Sequence, residues 1–197
     1  MPIRVACLAA VLAGVYLAGA ASRDAQRDEW QKPEEVIRAL EIGPEDVVAD
    51  IGAGSGYFAR RFARHARKVY AVDVDARALE SAARGAPPNL TTIVAAEDDP
   101  KLPHGEVNLV FFCNTMHHIR NRAQYLRNLA RALAPGARVV NIDFHKKPLP
   151  VGPGLSHKLD ETEALRDFEA AGYRLARKHE FLPYQYFQVF ERRPGQH

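Results

Sequence analysis

Two rhythms of apolar and polar residues alternate along the chain. Residues 47–51 (VVADI), 68–74 (KVYAVDV), 90–95 (LTTIVA), 107–113 (VNLVFFC) and 137–144 (ARVVNIDF) are short and rich in Val, Ile and Ala, and they show no two-fold alternation. Such runs predict strands covered on both faces, as in a parallel sheet sandwiched by helices. Between them lie segments of helical character. One opens at Lys32-Pro33-Glu34-Glu35, carries Val36, Ile37 and Leu40 as its stripe, and stops at Gly43-Pro44. Others are predicted over 55–66, 76–84, 122–134 and 160–172; Pro135-Gly136 breaks the third of these, and Gly172 ends the last. Residues 173–181 and 184–192 do alternate and are joined through Pro183, which predicts an antiparallel hairpin at the sheet edge. The fold class is therefore α/β: a doubly wound, seven-stranded mixed sheet with an antiparallel last strand.

The N-terminus departs from this pattern. MPIR is a short positive region, residues 5–20 are apolar and uncharged, and Ala18 and Ala20 stand at the small-residue spacing of a cleavage site. Residues 1–21 therefore read as a secretory signal, or alternatively as an anchor giving membrane association through residues 5–21. The expected location is periplasmic or secreted. Residues 22–32 read as a linker and 33–197 as one domain. Removal of the leader takes Cys7 with it and leaves Cys113 alone, so no internal disulfide is expected. Cys113 ends an apolar run and reads as a buried, inert thiol.

Bulk composition adds little. Net charge is +3, with 47% hydrophobic and 26% charged residues, as in an ordinary globular domain. Basic residues occur as isolated pairs (60–61, 146–147, 192–193), which fit solvated faces and not nucleic-acid binding.

The chemistry concentrates after the first strand, in Asp50-Ile51-Gly52-Ala53-Gly54-Ser55-Gly56. In a doubly wound sheet this is where a ligand sits. The dinucleotide fingerprint G-x-G-x-x-G wants its third glycine where this chain has Tyr57. A carboxylate two residues before the first glycine suits a cationic ligand better than a pyrophosphate. Asp73, at the end of the second strand, is placed to accept ribose hydroxyls; Asp75 reads as the cap of the next helix.

This D-x-G-x-G-x-G loop resembles motif I of the class I S-adenosylmethionine-dependent methyltransferases, of the small-molecule, type 11-like kind. The likeness runs from about Glu29 to the C-terminus. It implies S-adenosylmethionine as cofactor, bound by Asp50, Gly52, Ala53, Gly54, Gly56, Tyr57, Asp73, Val74, Asp98 and Asn114. Asp98 would meet the adenine amino group, with Glu97 and Asp99 as neighbours that a slip of one residue would choose instead. Asn114, in CNTMHHI (113–119), would lie beneath the methionine part. Family members often begin this fourth strand with an acid, where this chain has Asn108.

Methyl transfer needs alignment, and a base only where the nucleophile must lose a proton. His117 and His118 are the candidates, with His145 weaker; no third ligand stands at metal-binding spacing near the adjacent pair. Trp30 and Gln31 could lie over the cofactor as a lid. The Pro/Gly-rich stretch 145–158, with Lys146, Lys147, His157 and Lys158, reads as an acceptor loop that would favour an acidic or polar small molecule. A binding protein that keeps the site without catalysis is the alternative, and an NAD-dependent oxidoreductase a further one.

Overall fold

The computed structural model describes residues 24–194, so the predicted leader lies outside the described residues. Helix α1 (24–31) and helix α2 (Pro33–Ala39) lead into strand β1 (Val47–Ile51). Then follow α3 (Ala59–Phe62), β2 (Lys68–Asp73), α4 (Ala76–Ala83), β3 (Leu90–Val94), β4 (Val107–Cys113), α5 (Arg122–Leu129), β5 (Leu133–Phe144), α6 (Glu161–Ala170), β6 (Tyr173–His179) and β7 (Gln185–Arg192). The strands form one sheet in the order β3-β2-β1-β4-β5-β7-β6. The first five strands are parallel, and β7 runs antiparallel between β5 and β6. The order reverses between β1 and β4, which fixes the crevice outside their carboxyl ends as the ligand position.

Two apolar layers cover the sheet. Val48, Phe111, Val140 and Phe187 pack with Phe58, Phe62 and Ile37 on one face, and Val110, Phe112, Val139 and Phe190 pack with Leu126, Leu129 and Phe168 on the other. Burial on both faces accounts for the apolar runs of β1, β2, β4 and β5, whereas β3, at the sheet edge, is only partly buried and not covered on both faces. Asn108 fastens the sheet's lower end: its Oδ1 accepts from Val47 N–H at 2.6 Å and its amide donates to Asp46 at 2.6 Å. The absent family acid is thus replaced by a structural amide.

The structure differs from expectation in four places. Residues 24–31, read as linker, are helical, and Gln31 is fully buried. Lys32, in the left-handed region at φ 47°, turns α1 into α2. Residues 55–66 do not form one regular helix; bonds to the third and fourth preceding residues mix there, as Arg61 N to Phe58 O and Phe62 N to Phe58 O show. The helix over 122–134 ends at Leu129, because Leu133 already pairs with Val107 and β5 takes up Pro135-Gly136 through a register shift. Finally, β7 does not alternate: Gln185 to Phe190 are all buried, so its glutamines face protein and not water.

Two buried amides, Gln31 and Gln185, close a ring with the half-buried Asn114. Gln31 Nε2 donates to Gln185 Oε1 at 2.6 Å, Gln185 Nε2 donates to Asn114 Oδ1 at 2.6 Å, and Asn114 Nδ2 reaches Gln31 Oε1 at 3.5 Å. The ring ties α1 to the ends of β4 and β7. Gln185→Leu leaves partners of the ring unsatisfied and should cost about 1–3 kcal/mol of stability, the penalty for orphaned buried polar groups. Hydrogen exchange should show faster exchange in α1 with little change in β1 or β4.

Candidate active site

The glycine loop begins where β1 ends, and each glycine meets a different constraint. Gly52 lies at φ 76°, and a Cβ there would sit 2.3 Å from Thr115 Oγ1, the hydroxyl that donates to Ile51 O at 2.9 Å. Gly56 packs on α4, where a Cβ would come within 3.0 Å of Ala82 Cβ. Gly54 is different: at φ 55° it has no protein atom within 4 Å of a Cβ position. Its bare side faces open space, and its N–H donates to Asp73 Oδ2 at 2.8 Å. The other oxygen of Asp73 accepts from Asp75 N–H at 2.9 Å. Asp73 therefore holds the loop against β2 while remaining partly exposed at the rim. Asp75 caps α4 through Arg77 and Ala78 N–H, as expected.

A cavity of about 410 Å³ opens beyond this loop, lined by Asp50, Gly52, Ala53, Gly54, Ser55, Tyr57, Phe58, Cys113, Asn114, Phe144 and Gly152, with Arg27 and Trp30 of α1. Six of the predicted cofactor residues (Asp50, Gly52, Ala53, Gly54, Tyr57, Asn114) thus share one wall. Gly56 faces α4 instead. Val74 stands outside the cavity, 59% exposed next to Asp73, an apolar surface at the rim that a planar base can cover. Asp98 is exposed on the loop after β3, and its carbonyl accepts from Asn128. Its neighbour Asp99 is committed to the loop, accepting Lys101 N–H and pairing with Arg131, which leaves Asp98 the freer carboxylate.

Asp50 dominates the electrostatics. Only 3% exposed, its carboxyl is pushed up to about 7 by burial, a rise opposed by a hydrogen bond from the Ala59 backbone and by the charge of Arg27, and reinforced by Asp73. A desolvated acid at the wall of a ligand cavity is a charge waiting for a cation. Cys113 shares the wall, but burial pushes its thiol up to about 12, so it stays protonated and inert.

The histidines lie to one side of the cavity lining. His117 Nδ1 is 2.9 Å from both carboxylate oxygens of Asp143, a fully buried acid that also accepts Phe144 N–H at 2.8 Å. His118 is exposed, stacked on His117 with centroids 4.1 Å apart, and burial with the neighbouring His117 holds it below the usual imidazole range. His145 packs against Tyr186 and is likewise held low by burial. In the loop 145–158, Lys158 is buried and its ammonium donates to Lys147 O at 2.7 Å, which fastens the loop; Lys146, Lys147 and His157 are exposed. Among the described residues no group of three or more His, Cys, Asp or Glu is placed to hold a metal ion.

Sequence reasoning did not single out Arg27 or Asp143. Asp143 sits at an interior position of a buried strand, and only its distance to His117, 26 residues away, marks it. Arg27 belongs to the stretch read as linker.

Comparison with known proteins agrees with this geometry. A family described as a methyltransferase domain matches residues 49–141, slightly less than half of the 197-residue chain. A crystal structure of a SAM-dependent methyltransferase from Aquifex aeolicus superposes with a TM-score of 0.78 at 25% identity, covering 86% of this chain and 96% of that one. The protein-L-isoaspartate O-methyltransferase of Ruegeria pomeroyi is 49% identical over 47 residues, 24% of this chain and 22% of that protein. A probable ribosomal RNA small subunit methyltransferase A of Methanosarcina mazei is 45% identical over 42 residues, 21% of this chain and 16% of that protein. The matched segments thus span about a fifth of these curated relatives. Together the findings support a class I S-adenosylmethionine-dependent methyltransferase with S-adenosylmethionine as its cofactor.

Two predictions separate loop packing from ligand contact. Gly52→Val should fail to fold or lose several kcal/mol, because the Thr115 side chain and the positive φ leave no room. Gly54→Val should cost only about 1–2 kcal/mol of backbone strain yet abolish S-adenosylhomocysteine binding. Thermal melts and calorimetric titration of both variants check this.

The pH prediction follows from Asp50. Its folded pKa lies above the unfolded value of 3.8, so the stability it contributes is fully present below that value and is lost as pH rises through about 7. A ligand that sets an ammonium against Asp50 reverses the preference and releases a proton. Titration with S-adenosylhomocysteine at pH 6 should show proton release, read from buffers of different ionisation enthalpy, and Asp50→Asn should abolish both that release and the binding while raising Tm at pH 8.

Proposed function

We propose that this chain transfers a methyl group from S-adenosylmethionine to a small-molecule acceptor. One observation carries the reading: the buried Asp50 carboxylate faces a cavity beside a glycine whose open side admits a ligand. The residues present fit the cofactor. Asp50 suits its ammonium and sulfonium charges, Asp73 its ribose, and Val74 and Asp98 its base. A dinucleotide fits less well, because a pyrophosphate would bring negative charge to a loop backed by Asp50 and Asp73.

The cofactor, when bound, supplies a methyl group already activated by its sulfonium. The chain contributes alignment, desolvation and, where the acceptor carries a proton to lose, a base. His117 is that base. Asp143 holds Nδ1, so the ring's other nitrogen, which has no hydrogen bond among the described residues, is left as the acceptor of a proton. A small acceptor is supported by the size of the half-open cavity, about 410 Å³, which Trp30 of α1 borders while packing on Phe144 and Tyr184 at 5.6 and 6.5 Å.

Calorimetric titration tests the cofactor: S-adenosylhomocysteine should bind in the micromolar range and NAD not at all, and the reverse result would place the protein among dehydrogenases. Transfer of label from methyl-labelled cofactor across a small-molecule panel tests turnover; cofactor binding without any transfer would favour a non-catalytic binding protein. With an acceptor found, His117→Ala should slow transfer about 10²–10⁴-fold while leaving S-adenosylhomocysteine affinity unchanged. A lost affinity would move His117 from the base role into the cofactor pocket.

A further inference from the structure

We infer that Arg27 of α1 clamps the carboxylate of the cofactor's amino-acid end while Asp50 takes its ammonium, so that a helix outside the matched family segment completes the cofactor site. The inference rests on the S-adenosylmethionine reading above and adds a residue and a charge pairing to it.

The argument is one of charge balance in a confined space. Arg27 and Asp50 border the same cavity. Arg27 sits over the ring of Tyr57, its Cζ 3.7 Å from the centroid, and Arg61 lies over the same ring at 4.1 Å. Its hydrogen bonds run to the neutral amide of Gln31, at 3.4 Å from both Nε and Nη2. No carboxylate among the described residues lies within ion-pair distance of it, whereas Arg61 pairs with Asp28 at 2.9 Å. Arg27 is therefore a positioned guanidinium with donors to spare and no anion. Asp50 is a desolvated acid with no cation in ion-pair contact among the described residues. A zwitterionic α-amino acid end satisfies both at once: its ammonium neutralises Asp50, and its carboxylate meets the planar fork that guanidinium presents to such groups.

The placement of Arg27 is over-determined, as a recognition residue requires. The Tyr57 hydroxyl donates to Asp28, and Asp28 pairs with Arg61, which fixes one side of α1 to the loop. The amide ring of Gln31, Gln185 and Asn114 fixes the other side to the sheet. Arg27 adjoins both fastenings, next to Asp28 and one turn before Gln31.

Three ligands dissect the site in the full chain. S-adenosylhomocysteine carries both charges, S-adenosyl-3-thiopropylamine lacks only the carboxylate, and 5′-methylthioadenosine lacks the whole amino-acid end. The wild type should bind S-adenosylhomocysteine about tenfold or more tightly than the decarboxylated compound, the scale of a charge-assisted pair. Arg27→Gln should abolish that preference, weakening S-adenosylhomocysteine while leaving the other two within about twofold, and Arg27→Lys should restore part of it. Equal losses for all three ligands would show that Arg27 acts only by holding α1 in place, and unchanged affinities would remove it from the site; either result overturns the inference. Failure of the wild type to bind any of the three would overturn the cofactor reading itself. Retained 5′-methylthioadenosine binding by Arg27→Gln is the internal control that the variant folds.

Discussion

Everything at this site depends on one unfavourable burial. Asp50 is held out of water at the end of β1, where the sheet order reverses, and no described cation lies in ion-pair contact with it. A carboxyl in that environment costs the fold stability at neutral pH, and an apolar residue would pack there at lower cost. Selective strain of this kind is rational only where a ligand repays it. The surrounding residues are arranged about that debt. The Ala59 N–H and the charge of Arg27 moderate it, the glycine loop leaves the space beside it open, and Asp73 holds the loop in position through Gly54 N–H.

The three glycines illustrate how one motif carries separate physical demands. Gly52 keeps a side chain from striking Thr115, and Gly56 lets the loop lie on α4. These two are packing requirements and would hold in a protein with no ligand at all. Gly54 alone has an empty neighbourhood. A motif match cannot distinguish these roles, since all three positions look alike in sequence. The distances do, and they reduce the evidence for ligand approach to one glycine and one carboxylate.

What the sequence made legible was whatever apolar burial writes into it. The parallel strands β1, β2, β4 and β5 are rich in Val, Ile, Ala and Phe because helices cover both faces, whereas the edge strand β3 is only partly buried, and the cavity falls where such a sheet reverses its order. What it hid was burial by amides and cation–π contact. Helix α1 was read as a linker because RDAQRDEWQ has no apolar stripe; its attachment runs through Gln31, Asp28 and Arg27, residues that look solvated when only hydrophobicity is counted. The same error appears in β7, where Gln185 and Gln188 suggested a wet face and are buried. His117 was visible as a candidate, but its partner Asp143 was not, because a pair between the turn after β4 and strand β5 leaves no spacing to read.

That hidden attachment has a consequence for how a ligand reaches the cavity. A roof sealed by a leucine stripe would open only by exposing apolar surface to water. Helix α1 is held largely by polar contacts, three amides, an ion pair and a guanidinium on an aromatic face, beside the packing of Trp30 on Phe144 and Tyr184. Opening it exchanges these bonds for bonds to water, at a net cost of about 1 kcal/mol for each neutral hydrogen bond, while the sheet beneath keeps its core. The left-handed Lys32 sets the turn between α1 and α2. Polar attachment over an apolar core thus lowers the cost of access to the cavity, and it explains why the helix bordering that cavity is the one whose sequence least resembles a helix.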